Sequence, residues 1–399
     1  MAADVVYLDN HATTRVDPRV VEAMLPYFTE QYGNAGSTNH AFGWEARAAV
    51  DKARGSIAAA IGAADHELIF TSGATESNNL ALRGAAERLR RRGNHLVSVT
   101  TEHKAILDPL ARLARRDHDV TLLSVRQAGD AQAGLLDPAQ IAQALRPDTV
   151  LVSVMFANNE IGVVQPLAEI GAICRERGVW LHCDATQAVG KLPVDVVALN
   201  VDLMSFSAHK IYGPKGVGAL YLRRSGDNAV RLAAQIDGGG QEGGLRSGTL
   251  NVPGIVGFAR ALELCLMEMN EERERLAVLR DRLYAGLAAS LEGVTRHGPA
   301  LEQRALRLPG NLNCGFAYVD GEALMMNMGN LAVSSGSACT SSNPEPSHVL
   351  RALGLNEDQT RATLRFGLGR FNTEQEVDFA IEHVTATVKR LRKLSSMSA

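Results

Sequence analysis

A histidine and a lysine stand side by side in Ser207-Ala-His-Lys210, and Ile-Tyr-Gly-Pro-Lys-Gly216 follows at once. The residues before them, Val201, Leu203, Met204 and Phe206, read as a strand, and the glycine-rich stretch reads as a turn. A lysine at the rim of a buried sheet is costly unless its amine is paired, neutralised or used covalently. An imine with an aldehyde cofactor is one such use. A surface loop lysine is the other reading of this stretch.

Further residues offer complementary chemistry. Asp184 ends an apolar run and precedes Ala-Thr-Gln187. A carboxylate there could hold a pyridinium nitrogen protonated and make the ring an electron sink, with Gln187 donating to a phenolic oxygen of that ring. His103, in Thr100-Thr-Glu-His-Lys104, is placed to stack on a ring or move protons. Asn159, in Ala157-Asn-Asn-Glu160, adds an amide on the same rim. Thr71-Ser-Gly-Ala-Thr-Glu-Ser77 opens a helical pattern, and small residues at a helix start leave N–H groups for a phosphate. An ordinary helix cap is the alternative. Thr249, after Arg246-Ser-Gly248, could supply another phosphate hydroxyl or merely close a turn.

Cys339 sits in a stretch, 334–346, rich in serine with Gly336, Asn343 and two prolines, a loop composition. A cysteine in a polar loop is a liability unless its thiolate serves as a nucleophile. A free cysteine without function is the other reading. Arg365 could bind a substrate carboxylate through two parallel hydrogen bonds, and Arg370 is its rival.

Elements that could hold these groups alternate along the chain. Strands are predicted over 67–71, 95–99, 120–123, 149–156, 179–183, 203–207 and 218–222, with helical spacing between them. Alternating strands and helices imply an α/β fold with a mostly parallel sheet and ligands at the carboxyl ends of its strands. Asp184, His209 and Lys210 would then share one rim. A helix over 262–287 should lead into a second domain with strands at 310–316 and 331–334 and helices near 346–353 and 373–394.

Length and composition agree. A chain of 399 residues exceeds one usual core, so two domains are expected. A net charge of −3 gives no field for nucleic acid or membrane, and no apolar run approaches a bilayer span. The basic run Arg88 to Arg92 reads as a solvated helix end before Gly93. The N-terminus lacks the pattern of a secretory leader. Cys174, Cys183, Cys265, Cys314 and Cys339 form neither a disulfide framework nor a metal motif. A reducing cytoplasm is expected, with every cysteine but Cys339 an inert core residue.

These motifs together resemble the pyridoxal-phosphate-dependent cysteine desulfurases of the IscS/NifS family, in the class-V aminotransferase, fold-type I superfamily. The resemblance runs from Tyr7-Leu-Asp-Asn-His-Ala-Thr-Thr14 to Arg365 and Phe371. It implies a large domain, 17–262, with a mostly parallel seven-stranded sheet. It also implies a smaller α+β domain of 1–16 and 263–399 carrying the cysteine loop. Lys210 would carry the cofactor and Cys339 the persulfide. His103 would stack on the ring, Asp184 pair with its nitrogen and Gln187 contact its oxygen. Ala74, Thr75, Ser207, His209 and Thr249 would surround the phosphate and lysine, while Asn159 and Arg365 would hold L-cysteine. No resident metal is implied; Cys339 would only touch a nascent cluster on a partner. A homodimer is implied, with Thr249 entering from the neighbouring chain. So is a sulfur-acceptor protein, either an iron–sulfur scaffold or a tRNA-thiolation relay. Selenocysteine lyase or aminotransferase chemistry is the alternative.

The chain departs from the family pattern in three places. Gly33-Asn-Ala-Gly-Ser37 lacks a proline, Gly243 stands where an arginine is usual, and the tail after Leu394 is short. The last two put the docking partner in question rather than the chemistry.

Overall fold

The computed structural model describes residues 5–226, 229–335 and 345–394. Seven strands form the main sheet: β1 (Leu68–Thr71), β2 (His95–Val99), β3 (Asp119–Leu123), β4 (Thr149–Ser153), β5 (Trp180–Asp184), β6 (Leu203–Ser207) and β7 (Gly218–Leu222). Their order is 1-7-6-5-4-2-3, and only β7 runs antiparallel to its neighbours. The expectation of a mostly parallel seven-stranded sheet is borne out.

Period-two alternation explains why both faces are covered. Leu68, Phe70, Val97, Val99, Met204 and Phe206 enter one apolar core. Ile69, Leu96, Leu203 and Leu220 enter another on the opposite face, beneath Leu80 and Leu82 of α2. That helix spans Ala74–Leu89 and follows α1 (Ala41–Ala59). Beyond β2 comes α3 (Lys104–Ala114), and between β4 and β5 comes α4 (Leu167–Glu176). Strands thus deliver their carboxyl ends to one rim, and helices start there.

Two glycines let the backbones crowd at this rim. Gly73 caps α2 with φ 152°, a region open essentially to glycine. A Cβ on Gly218 would lie 2.6 Å from the Cα of Gly73 and 2.7 Å from the Phe206 carbonyl. Any side chain there would push the start of α2 away from β7.

The predicted connector is longer than its periodicity suggested. It is α5, Val252–Ser290, and it starts where the Asn251 side chain accepts the Gly254 N–H at 3.0 Å. Its first half packs Ile255, Phe258 and Leu262 into the main core. Its second half packs Leu276, Leu279, Leu283 and Leu287 into a separate core with Leu312, Phe366 and Val384. A second sheet lies there, of β8 (Val294–His297), β9 (Asn311–Phe316), β10 (Ser334–Ser335) and β11 (Thr363–Gly367), antiparallel in the order 10-11-9-8. The helix α6, Glu374–Leu394, covers it. The strand predicted at 331–334 divides: Leu331–Ala332 pairs with Val6–Tyr7, whereas β10 pairs Ser334 with Arg365. Among the described residues no helix is long and apolar enough to cross a membrane.

Candidate active site

A cleft of about 640 Å³ opens at the carboxyl ends of the main sheet. Ala74, Thr75, His103, Asn159 and Asp184 line it, together with Gln187, Ser207, His209, Lys210 and Arg365. The sequence thus named these residues from separate elements, and the fold gathers them. Thr249 is exposed and is not part of this lining. Cys339 lies outside the described residues, but Ser334, Ser335 and His348, on either side of that stretch, line the cleft.

Lys210 sits in the link between β6 and β7, not in a strand–helix crossover. Its Nζ donates to the carbonyls of His11 at 2.7 Å and Ala12 at 2.5 Å. Burial, reinforced by Lys191 and Arg365, lowers its pKa to about 7 against the opposing pull of Asp9 and Asp184. The amine is therefore largely available as a base or nucleophile near neutrality. The N-terminal segment straps this link down. Thr14 Oγ1 donates to the His209 carbonyl at 3.0 Å and accepts the Tyr212 N–H at 2.7 Å. Burial also pushes His209 down to about 4, and its Nδ1 lies 3.2 Å from Thr13 Oγ1.

Asp184 ends β5 and is buried. Asn78 Nδ2 donates to its Oδ2 at 2.7 Å, and the Thr186 N–H donates to Oδ1 at 3.0 Å. His103 is the N-cap of α3, its Nδ1 accepting the Ala105 N–H at 3.0 Å. That bond leaves the proton of the neutral ring on Nε2. The ring opens to the cleft, yet protein crowds it from behind, and this burial outweighs Asp184 and lowers its pKa. At the start of α2 the Thr71 and Ser77 hydroxyls bond each other at 2.8 Å, while Gly73, Ala74 and Thr75 bring their backbone to the cleft. The first N–H groups of a helix have no intrahelical acceptor, so this turn is a cradle for an anion.

Arg365 faces the opposite wall. Its Nη2 donates to Asp9 Oδ1 and Ser334 Oγ, each at 2.7 Å, and Nη1 reaches the Asn159 carbonyl at 3.3 Å. Among the described residues its buried Nε has no partner. Arg370 is elsewhere: it pairs with Asp17 at 2.9 Å and Glu272 at 3.0 Å and covers the Tyr212 ring. Of the two arginines, Arg365 lines the cleft and Arg370 does not.

Sequence reasoning missed His11, Glu102 and His348. Burial holds His11 well below its ordinary pKa, and its Nδ1 lies 3.2 Å from Gln187 Oε1. Glu102 is fully buried and accepts the Met155 N–H at 2.6 Å; burial raises its pKa well above the carboxylate range. His348 Nε2 donates to the Glu102 carbonyl at 2.7 Å. The motifs Asp9-Asn-His and Thr101-Glu-His contained two of these residues, and their mix of polar types was the available signal. Cys174, Cys183, Cys265 and Cys314 are buried and free; burial pushes the thiols of Cys174, Cys265 and Cys314 up to about 12 and that of Cys183 well above its ordinary value, as expected of inert core residues.

Comparison with known proteins places this geometry. The family described as Aminotransferase class-V matches residues 6–379. The cysteine desulfurase IscS of Anaeromyxobacter dehalogenans (strain 2CP-C) is 58% identical over 392 residues, covering 98% of this chain and 94% of its own. A solved NifS-like protein superposes with a TM-score of 0.88 at 37% identity, covering 97% of this chain and 100% of its own. A structure titled SspA in complex with cysteine gives 0.78 at 34% identity, with 92% and 99% covered.

Proposed function

This chain belongs to the aminotransferase class-V family and is a cysteine desulfurase, and from that premise we propose which residues carry its chemistry. The family is pyridoxal-phosphate-dependent, and three features of the cleft suit that group. The backbone cradle at Gly73 to Thr75 fits a phosphate, buried Asp184 fits a ring nitrogen, and Lys210 presents an amine between them. Gln187, His103, Ser207 and His209 complete its surroundings. Bound there, the cofactor supplies an electron sink for the pair left at the substrate α-carbon.

The chain's own groups do the rest. Arg365 and Asn159 bind the carboxylate of L-cysteine, with Arg365 exchanging part of its contact with Asp9 for the substrate. Lys210 removes the α-proton. His103, a neutral Nε2–H ring, excludes water from one face and moves protons. The Cys339 thiolate attacks the substrate sulfur. The substrate's Cβ–S bond breaks and an S–S bond forms, so L-cysteine and one thiol become L-alanine and one persulfide. A sulfur-acceptor protein, an iron–sulfur scaffold or a tRNA-thiolation relay, then receives that sulfur. The reading includes a homodimer in which exposed Thr249 enters the partner's cleft, and a division of the chain within α5 supported by the two cores that helix joins.

The observation that carries this reading is Lys210. Among the described residues no carboxylate pairs with it, and it rests on two carbonyls with its charge disfavoured. The test is mass spectrometry of the cofactor-loaded protein after brief treatment with L-cysteine without reductant. One extra sulfur on the Cys339 peptide, with alanine released, is expected. Alanine without that adduct would mean a lyase that discharges sulfide, and neither product would mean transamination.

A further inference from the structure

Lys191 has no assigned role, yet it is joined to Lys210 by hydrogen bonds. It follows Gln187 by four residues within a run of turns, and the two side chains meet. Its side chain is part-buried, but the ammonium points inward and donates to Gln187 Oε1 at 2.8 Å. Gln187 Nε2 donates to the His11 carbonyl at 2.9 Å, and that same oxygen accepts Lys210 Nζ at 2.7 Å. His11 Nδ1, 3.2 Å from Gln187 Oε1, completes the cluster. Behind it a cavity of about 30 Å³, lined by His11, Lys191, Tyr212 and Glu272 among others, separates this group from α5.

Among the described residues no carboxylate pairs with Lys191. Glu272 is taken by the Tyr212 hydroxyl at 2.8 Å and by Arg370 at 3.0 Å. An inward cation without a counter-ion is costly, and an apolar side chain would fill this place at less cost. Such a group persists where its charge is used.

We propose that Lys191 is a positioning residue of the desulfurase reaction. Its ammonium fixes the amide of Gln187 and, across the shared His11 carbonyl, sets a positive charge behind Lys210 that favours the uncharged lysine nitrogen. The proposal rests on the reading of Lys210 as the residue that carries the cofactor.

The surrounding charges give the sign. Asp9 and Asp184 face Lys210 and favour its proton, whereas Arg365 and Lys191 oppose it. Around Lys191 itself, Glu272 and Cys265 of α5 favour its charge, Arg365 of β11 opposes it, and His11 is held neutral by burial. Arg273 lines the cavity from the same helix. Burial also lowers the pKa of Lys191, to about 8.

The experiment is a pH titration of cofactor absorbance in the loaded wild-type, K191M and K191R proteins, with K210A as reference. The K191M midpoint should move up by about one pH unit, while K191R stays close to wild type. K191M should also lower kcat at neutral pH with little change in KM for L-cysteine. A purely structural role would alter the melting temperature and leave the midpoint in place. A wild-type midpoint in K191M would overturn the proposal. Should K191M fail to fold, K191Q, which keeps a donor without the charge, decides by the same criterion. If K210A retains the wild-type absorbance and its titration, the reading of Lys210 fails and this proposal falls with it.

Discussion

The cleft around Lys210 and the ion network around Arg370 are both polar and both built on the N-terminal segment and the end of β11, yet their electrostatics run in opposite directions. In the network the charged forms are favoured. Hydrogen bonds from Arg19 and Arg370 hold Asp17 well below the usual carboxylate range, and Arg19 holds Glu268 down. In the cleft the charged forms are disfavoured: Lys210 falls to about 7, His209 to about 4, and Glu102 rises well above its ordinary value. The network pairs its charges: Arg370 meets Asp17, Glu272 and Glu268, all within 3.2 Å. In the cleft, by contrast, buried atoms lack partners among the described residues: His11 Nε2, Glu102 Oε2, Thr186 Oγ1 and Arg365 Nε. Saturated ion pairs hold a fold in register, whereas groups held short of their preferred charge are available for chemistry.

That contrast breaks most readily at Lys210. In K210A, alanine release should fall by at least about 10³-fold, because the α-proton loses its base. The same substitution should leave the melting temperature unchanged or raised, since it removes a disfavoured charge. Appreciable alanine production by this variant would end the contrast.

The paired arginines sharpen it. R365A should raise KM for L-cysteine by about 10- to 100-fold, the loss of a charged hydrogen bond to a carboxylate, with little effect on unfolding. R370A should do the reverse. It leaves part-buried Glu272 without its cation and Asp17 with Arg19 alone, and should cost about 1–3 kcal/mol in denaturant unfolding, with near-normal turnover per folded molecule. Equal effects of the two on KM would mean that the network is part of the substrate site.

The last expected effect is on stability against pH. In the cofactor-free protein, Lys210 at about 7 and Lys191 at about 8 lie below the ordinary 10.5. Between those values and 10.5 the unfolded chain binds protons that the folded chain does not. Stability should therefore rise with pH across that window, by at most about 1.4 kcal/mol per unit for each lysine. Asp17 acts at the other end. Its contribution is complete above its ordinary 3.8 and is lost as pH falls through its lower folded value. Chemical unfolding of K210M across pH should flatten the alkaline limb and spare the acid one.

Where a residue follows an apolar run, its place could be read from the sequence. Asp184 ends a strand, Lys210 and His103 come within four residues after one, and a parallel sheet sends those positions to one rim. The strand expected to 156 ends at Ser153, yet Val154 and Phe156 keep donating to the carbonyls of His182 and Asp184, so apolar character outlasts the formal strand. For His11 the polar motif gave a hint of the residue but none of its place. Its segment crosses from the second sheet, where Asp9 bridges Gly367, to the Lys210 link, a purely tertiary approach. Lys191 was hidden for the same reason, since nothing local says that its ammonium turns inward. The early start of α5 was masked by Gly254 and Gly257, which dilute the apolar stripe. Asn251, whose side chain caps that start, was the overlooked cue.

The helix α5, 39 residues and by its rise about 59 Å long, is shared property of two cores. Separate melting of either core would leave half a helix with its apolar stripe bare and its backbone frayed at the charged middle, Glu271 to Arg275. The helix thus welds the two layers of the molecule into one cooperative unit, and calorimetry should register a single endotherm rather than two.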